Sequence, residues 1–225
     1  MKYILSSFKI QIQESIYLKD PESSELGKRI VQGSIKLIDQ MGFEDFTFKK
    51  LGNEIASNES SIYRYFENKH KLLIYLTSWY WAWIEYNLVL ATIQEKSDWD
   101  KLNSAIEVCT RATEEDGNFS HIDEIALNRI VINENSKSYL TKEVDQENKA
   151  GYFEAYKRVI FRLKSLIQTV NSSFEFPSNL AVTIIESALH QHFNRSHFPS
   201  LSDCNNQKEP TKYIKNLVQN ILKNG

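Results

Sequence analysis

The stretch at residues 47–72, TFKKLGNEIASNESSIYRYFENKHKL, decides which fold the sequence predicts. Thr47, Asn58 and Asn68 each precede apolar residues at helical spacing, and their side-chain oxygens can accept hydrogen bonds from the free N–H groups of a first helical turn. The spacing therefore predicts two short helices separated by a break at residues 56–58 and followed by a long helix. Two short helices joined in this way have the proportions of a helix-turn-helix.

The rest of the sequence also predicts helices, beginning with one over residues 24–41 that Ser23 or Ser24 would cap and Gly42 would end. Glycine and proline number only 7 and 4 of 225 residues, which leaves few turns for a many-stranded sandwich or barrel. Apolar spacing predicts further helices downstream, namely one capped by Asp98, one over residues 121–133, one over 145–170, one over 179–195 and one from Pro210. We therefore expect an all-α protein.

The first 20 residues follow a different pattern. Phe8 to Gln13 alternates apolar and polar residues, and Ile16 to Leu18 could return as a second strand, so a short β-hairpin extension is predicted. An isolated hairpin is only marginally stable in water, so this segment is expected to need a partner surface. Asp20 would end it, because the residue before Pro21 avoids the helical region.

The helix-turn-helix pattern also predicts which residues contact DNA. The second helix of such a motif lies in the major groove, where its N-terminal residues meet base edges while flanking side chains reach phosphates. Small Ser60 and Ser61 permit close approach to a base pair, and Tyr63, Tyr65 and Lys69 are expected to reach phosphates. The predicted DNA-binding residues are Thr47, Lys49, Asn58, Glu59, Ser60, Ser61, Tyr63, Arg64, Tyr65 and Lys69.

Residues 25–72 resemble the DNA-binding region of TetR-family transcriptional regulators. The resemblance rests on motifs that keep the family's spacing: Gly42-Phe43 after the first helix, Thr47 at the start of the second, Leu51 within it, and Ile62-Tyr63-Arg64-Tyr65-Phe66 followed by Lys69 and Leu72. The match covers about 48 of the 225 residues.

Four positions depart from the family's pattern. Ala56 replaces a glycine at the turn, and Ser57 replaces a core valine. Gly52 replaces a helical alanine, at a cost of about 1 kcal/mol in helix propensity. Glu59 places a carboxylate at the groove-facing end, where it would accept a hydrogen bond from a cytosine amino group and repel phosphate.

The resemblance implies a one-component transcriptional regulator, a repressor that a small apolar or aromatic ligand releases from a palindromic operator in double-stranded DNA. It implies a DNA-binding domain at residues 23–70, after an extension at 1–22, and a helical ligand-binding and dimerisation domain at 71–225. The homodimer is expected to form through the helices near 145–170 and 179–195. A second interpretation is a TetR-like scaffold protein that has lost sequence-specific DNA binding.

The charge balance keeps both interpretations open. Residues 25–72 hold eight Lys and Arg against seven acidic residues, so the region is only weakly basic. Affinity for DNA would then come from a few placed contacts and from dimerisation. Lys49 and Lys50 fit a solvated helix face as well as they fit a phosphate contact.

A cluster of aromatic residues begins at Trp79. Ligand pockets are mostly apolar, so we predict a pocket lined by Trp79, Tyr80, Trp83, Tyr86 and Cys109. The same residues also fit a packed core around a central helix.

No metal, cofactor or catalytic site is predicted. Glu186 and His190 share a helix face, but His192 points elsewhere, which falls short of the three or four converging ligands that zinc needs. The sequence has no Walker, Rossmann, zinc-hydrolase or triad motif. It also has no apolar run near the roughly 20 residues that span a membrane and no signal-peptide pattern, so a cytoplasmic protein is expected.

Overall fold

The computed structural model describes residues 10–113, 119–204, 206 and 209–224. These residues contain helices and no β-strand, which confirms the expected all-α class. The helices are α1 (Glu25–Asp45), α2 (Phe48–Glu54), α3 (Glu59–Tyr63), α4 (Lys69–Ile93), α5 (Asp98–Thr110), α6 (Glu124–Glu134), α7 (Val144–Lys149), α8 (Glu154–Val170), α9 (Pro177–His197) and α10 (Glu209–Asn224).

The chain divides into two compact units. The first contains the residues up to Tyr80 together with residues 113–154, and the second contains residues 81–112 and the residues from Ala155 onward. The division into domains at 23–70 and 71–225 stays a prediction. No helix among the described residues is both long enough and apolar enough to cross a bilayer.

In the first unit, α1 packs against α6. Helix α1 begins as predicted at Ser24, whose Oγ accepts a hydrogen bond from the backbone N–H of Gly27. Its regular geometry ends as predicted at Gly42, which has φ of 78° and ψ of 160°. Glu134 of α6 then accepts a hydrogen bond from the backbone N–H of Phe43 at 3.1 Å, so the chain that leaves α1 is fixed against α6.

The extension before α1 differs from the predicted hairpin. Residues 14–16 form a 3-10 turn, and none of the described residues 10–20 is in a strand. The expectation of a returning strand at Ile16–Leu18 was therefore wrong, because Ile16 is buried within that turn and not paired with a neighbouring strand. Phe8 and Lys9, at the start of the alternating pattern, lie outside the described residues.

Two helix boundaries also differ from the predictions. Ser97 caps α5, accepting a hydrogen bond from the N–H of Asp100, whereas Asp98 is already the first helical residue. The single helix predicted over residues 145–170 is two helices, α7 and α8. Gly151 separates them with a φ of 83°, a left-handed conformation that continues no helix.

In the second unit, α5, α9 and α10 pack on one another. Buried polar contacts tie them together. Thr110, at the end of α5, donates its hydroxyl proton to Thr211 of α10 at 3.0 Å, and its carbonyl accepts from Nε2 of His192 in α9 at 2.7 Å. Burial lowers the pKa of His192, and this outweighs the opposite effect of the bond to Thr110.

The stability of the protein should therefore fall in mild acid. A lowered pKa means that the unfolded chain takes up a proton at His192 near pH 6.5 while the folded chain resists it, so the stabilising effect is complete above pH 6.5 and is lost as the pH falls. We expect the loss of unfolding free energy between pH 7.5 and pH 5.5 to be smaller by about 1 kcal/mol in His192→Gln. Urea unfolding at both pH values measures this difference. His190→Gln, which changes an exposed histidine of the same helix, is the control, and an equal acid sensitivity in all three proteins would contradict the prediction.

Candidate DNA-binding site

The candidate site is built on the two short helices α2 and α3, whose starts were predicted correctly. Thr47 Oγ1 accepts from the N–H of Lys50 at 3.2 Å and begins α2. Asn58 Oδ1 accepts from both the N–H and the Oγ–H of Ser61, at 2.8 and 2.7 Å, and begins α3. These caps replace intrahelical bonds that a first turn lacks, so helices of only seven and five residues can form.

The turn between α2 and α3 depends on a close approach of two backbone segments. The carbonyl of Gly52 accepts from the N–H of Ser57 at 2.8 Å. A Cβ atom at position 52 would lie 2.8 Å from the carbonyl oxygen of Ser57 and 3.4 Å from the N–H nitrogen of Glu59. Gly52 is therefore needed for this crossing, which helix propensity alone did not indicate.

Ala56 lies in the same turn with a φ of 49°. This left-handed conformation costs an L-residue about 1–2 kcal/mol because Cβ approaches the following carbonyl. The family's glycine at this position would carry no such cost. The replacement of that glycine by Ala56 therefore adds local strain.

The first turn of α3 presents polar side chains to solvent. Glu59, Ser60 and Arg64 are exposed, Ser61 is half-buried, and Tyr63 is exposed over 47% of its surface. The Tyr63 ring packs edge-on against Phe48 of α2, with centroids 4.9 Å apart, so its direction is fixed by the helix beneath it. Its hydroxyl lies 3.5 Å from a carboxylate oxygen of Glu59.

Lys69 and Tyr65 lie elsewhere than the sequence predicted. Lys69 Nζ donates to the carbonyls of Phe43, Glu44 and Phe46 at 2.9–3.3 Å, so it satisfies the C-terminal end of α1 instead of extending toward a phosphate. Tyr65 is only 3% exposed, and its hydroxyl lies 2.7 Å from Oγ of Ser24. The expectation that both side chains reach phosphates from the surface is corrected on these contacts.

Two neighbouring lysines of α2 also differ in their surroundings. Lys50 Nζ donates to the carbonyl of Asp45 at 2.7 Å. Lys49 is exposed, and neither it nor Arg64 forms a salt bridge with any described residue. The cationic side chains that remain available on this surface are therefore fewer than the sequence predicted.

The residues predicted to line a ligand pocket are mostly packed. In the first unit, Trp79 packs edge-on against Phe119 at 5.0 Å, and the Tyr80 hydroxyl accepts from Asn128 at 2.8 Å. In the second unit, Trp83 is 4% exposed and Tyr86 is half-buried. Burial raises the pKa of the Cys109 thiol to about 12, which makes it a packing residue and not a nucleophile.

Two cavities in the second unit have other linings. One, of about 380 Å³, lies between α4 and α8 and is lined by Glu85, Leu88, Thr92, Arg158, Phe161, Arg162, Ser165 and Leu166. The other, of about 350 Å³, is mostly polar and includes Glu95, Glu107 and Arg111. No local pattern could have indicated the first cavity, because its two arginines meet Glu85 from 73 and 77 residues away.

The residues weighed as metal ligands have other partners. Glu186 accepts from the hydroxyl of Tyr156 at 2.8 Å, and Nδ1 of His190 bonds to the carbonyl of Glu186. Among the described residues, no group of three or more His, Cys, Asp or Glu side chains could hold a metal ion.

Comparisons with known proteins agree with this geometry. Residues 30–76 match the family model described as bacterial regulatory proteins, tetR family. A search of the curated proteins finds no match. The model match contains α2, the turn and α3, and it confirms the resemblance found in the sequence.

Solved structures of similar fold cover most of the chain. Superantigen PfiT is 12% identical with a TM-score of 0.60, covering 92% of this chain and 100% of its own. AibR in complex with isovaleryl coenzyme A and operator DNA is 15% identical with a TM-score of 0.57, covering 86% and 96%. FadR from Bacillus subtilis in complex with stearoyl-CoA is 13% identical with a TM-score of 0.59, also covering 86% and 96%. At these identities the likeness shows a TetR-like fold.

Relieving the strain at the turn should stabilise the protein. Ala56→Gly removes the left-handed penalty but adds chain entropy to the unfolded state, so we expect a net gain of about 0.5–1 kcal/mol in unfolding free energy. Gly52→Ala should instead destabilise it by about 2 kcal/mol, because the added Cβ meets a backbone oxygen. Urea unfolding of both variants measures the differences, and effects of the same sign at both positions would contradict this account of the turn.

Proposed function

Because this chain carries the DNA-binding region of the tetR family on a TetR-like fold, we propose that it is a homodimeric repressor that binds a palindromic operator and is released by a small ligand. The dimer would form through α8 and α9. Phe176 and Val182, near the start of α9, are exposed apolar side chains of the kind that self-association covers. The ligand would favour a state of the dimer in which the two α2–α3 regions no longer fit one operator.

The observation that carries this proposal is the exposed, capped first turn of α3. Ser60 is small enough for a base pair to approach, while Glu59 offers an acceptor to a cytosine amino group. In this proposal Tyr63, whose ring packs against Phe48, and Arg64, one turn after Ser60, contact the flanking phosphates. Thr47 and Asn58 contribute by capping the starts of α2 and α3.

The small number of available cations explains why a dimer is needed. Lys69 and Lys50 bond to backbone carbonyls, which leaves Lys49 and Arg64 as the exposed cations of the α2–α3 surface without an ion pair among the described residues. Two or three phosphate contacts per subunit would give a dimer a salt dependence of about −4 to −5 in log K against log salt. A single subunit with half this slope would bind weakly at physiological salt.

We expect Lys49→Ala and Arg64→Ala to weaken binding to DNA about tenfold each. Each substitution removes one phosphate contact per subunit, so the salt slope should fall by about 2 for a dimer. A duplex selected from a random library by the wild-type protein serves as the probe, and fluorescence anisotropy between 50 and 200 mM salt measures both quantities. Two chains bound per duplex would support the palindromic operator.

Lys212→Ala is the matched control, because Lys212 is an exposed lysine of α10 in the second unit. It should leave affinity and slope unchanged. If no duplex is enriched over the starting library, or if all three variants bind alike, the repressor proposal is wrong.

The scaffold interpretation is the second candidate, and Glu59 is the observation that favours it. A carboxylate at the exposed start of α3 repels the DNA backbone unless a base donates a hydrogen bond to it. The fold likeness to a superantigen also means that this fold alone does not require DNA binding. Library selection separates the repressor from the scaffold, because a scaffold enriches no duplex. In a scaffold, Glu59→Gln would raise the affinity for all DNA sequences alike.

For the ligand, we propose the cavity between α4 and α8 in place of the predicted aromatic lining. Arg158 and Arg162 each donate Nε to Glu85, at 2.6 and 2.8 Å, and the two guanidinium groups remain nearly half exposed. Two cations and one carboxylate leave a net positive charge beside Leu88, Phe161 and Leu166. A small molecule with an apolar body and an anionic group fits this lining, and AibR and FadR are both known in complex with acyl thioesters of coenzyme A.

The net positive charge of this cavity predicts that it binds anionic ligands and not cationic ones. Octanoate should bind the protein, and octylamine of the same chain length should not, because the positive lining repels the ammonium group. Arg162→Gln should weaken octanoate binding about tenfold, the loss of one charge-assisted hydrogen bond, whereas Lys164→Gln on the same helix should not. Isothermal titration calorimetry measures the four affinities, namely octanoate and octylamine for the wild type and octanoate for each variant. Equal binding of octanoate and octylamine would contradict the assignment.

A further inference from the structure

The segment before α1 is a strap across the first unit, defined by residues 13–24. It makes a main-chain bond to the end of the candidate reading helix, where the N–H of Leu18 donates to the carbonyl of Tyr65 at 2.8 Å. Tyr65 comes two residues after the last residue of α3. The Lys19 ammonium group lies 5.0 Å from the centre of the Tyr65 ring, next to the same bond.

The other side of the strap is bonded to the loop between α7 and α8. Ser15 Oγ donates to the carbonyl of Ala150 at 3.4 Å, and the Tyr152 hydroxyl donates to the carbonyl of Ser15 at 3.1 Å. Gly151, between these two residues, has the left-handed conformation that turns the chain toward α8. The strap thus joins two segments that are about 85 residues apart in the sequence.

Apolar burial holds the strap in place between these bonds. Ile16 is 2% exposed and Pro21 is buried. Tyr17 packs edge-on against Tyr75 of α4, with centroids 6.1 Å apart. Glu22 accepts from Nε2 of His121 at 2.7 Å, with both side chains largely buried.

Helix α4 forms a second connection to the same loop. Lys71 lies 3.8 Å from the centre of the Tyr152 ring, and Ser78 Oγ donates to the carbonyl of Tyr152 at 3.1 Å. Glu147 of α7, 6% exposed, bonds to Nε2 of His70 at 3.0 Å. The Tyr152 hydroxyl is the part of this residue that reaches the strap, so the two connections can be broken separately.

We propose that residues 13–24 are a positioning element that fixes the C-terminal end of α3 to the loop at residues 150–152. The chain leaves this loop directly into α8, the helix that carries Arg158 and Arg162. A shift of the first turn of α8 would move the Ser15 contacts and, through Leu18, the carbonyl of Tyr65. This inference rests on the proposed function for its consequence in DNA binding, but the connection itself is a property of the free protein.

Hydrogen exchange on the free protein tests the connection without DNA. The probes are the amides of Tyr65 and Phe66, which both donate to the carbonyl of Ile62 at the end of α3. Leu18→Pro removes the strap's N–H donor, and Tyr17 already has the extended conformation that a residue before proline adopts. We expect both amides to exchange about tenfold faster, while amides of α9 and α10 keep their rates.

Leu18→Ala is the matched control. The Leu18 side chain is 67% exposed and the alanine variant keeps the N–H, so exchange should be unchanged. Tyr152→Phe removes the hydroxyl bond to Ser15 and should accelerate the same two amides about threefold, whereas Tyr213→Phe, at an exposed tyrosine of the second unit, should not.

A double-mutant cycle tests whether the Tyr152 hydroxyl affects the end of α3 through the strap. In the combined Leu18→Pro and Tyr152→Phe protein, the Tyr152 change should add nothing to the exchange rates of Tyr65 and Phe66. A further threefold rise in these two exchange rates would overturn the proposal. It would also be overturned if Leu18→Pro lowered only the global stability, so that it accelerated exchange equally throughout the protein. If Leu18→Pro does not fold, the absence of any Tyr152→Phe effect at Tyr65 and Phe66 overturns it as well. Failure of the wild type to bind any duplex would contradict the proposed function, whereas the exchange rates of the free protein would still decide whether the strap makes the connection.

Discussion

The arrangement of the candidate site depends on the backbone contact between Gly52 and Ser57. The hydrogen bond between them sets the crossing of α2 and α3. A single methyl group added at residue 52 would force the two helices apart. This crossing decides that Phe48 supports the Tyr63 ring and that the first turn of α3 faces solvent. The caps at Thr47 and Asn58 then stabilise helices too short to form alone.

Cationic side chains of this region are used largely inside the protein. Lys69 replaces the missing hydrogen bonds of three carbonyls at the C-terminal end of α1, where the partial negative charge of a helix end favours a cation. Lys50 does the same for Asp45. These lysines thus stabilise helix ends in the first unit, and the surface proposed to bind DNA keeps fewer available cations than its sequence contains.

Local signals predicted most of the fold, and contacts between distant residues account for the errors. The caps at Ser24, Thr47, Asn58 and Asn68 were predicted because they act within three residues of themselves. The burial of Tyr65 depends on Ser24, 41 residues earlier, and the role of Lys69 depends on carbonyls 23–26 residues away. Gly151 lies inside an apolar pattern that continues on both sides, so periodicity did not separate α7 from α8.

Glu59 would have opposite effects in the free protein and in the proposed complex with DNA. In the free chain its carboxylate lies in the first turn of α3, where the helix dipole favours a negative charge. In the proposed complex with DNA the same charge would meet the phosphates, and only a base pair with an amino group at that place would offset the repulsion. In that complex an acidic residue at this position would lower affinity for every sequence and lower it least for one, which would widen the difference in affinity between the correct site and its many competitors. Selectivity in this protein would thus come from discouraging wrong sequences more than from holding the right one tightly.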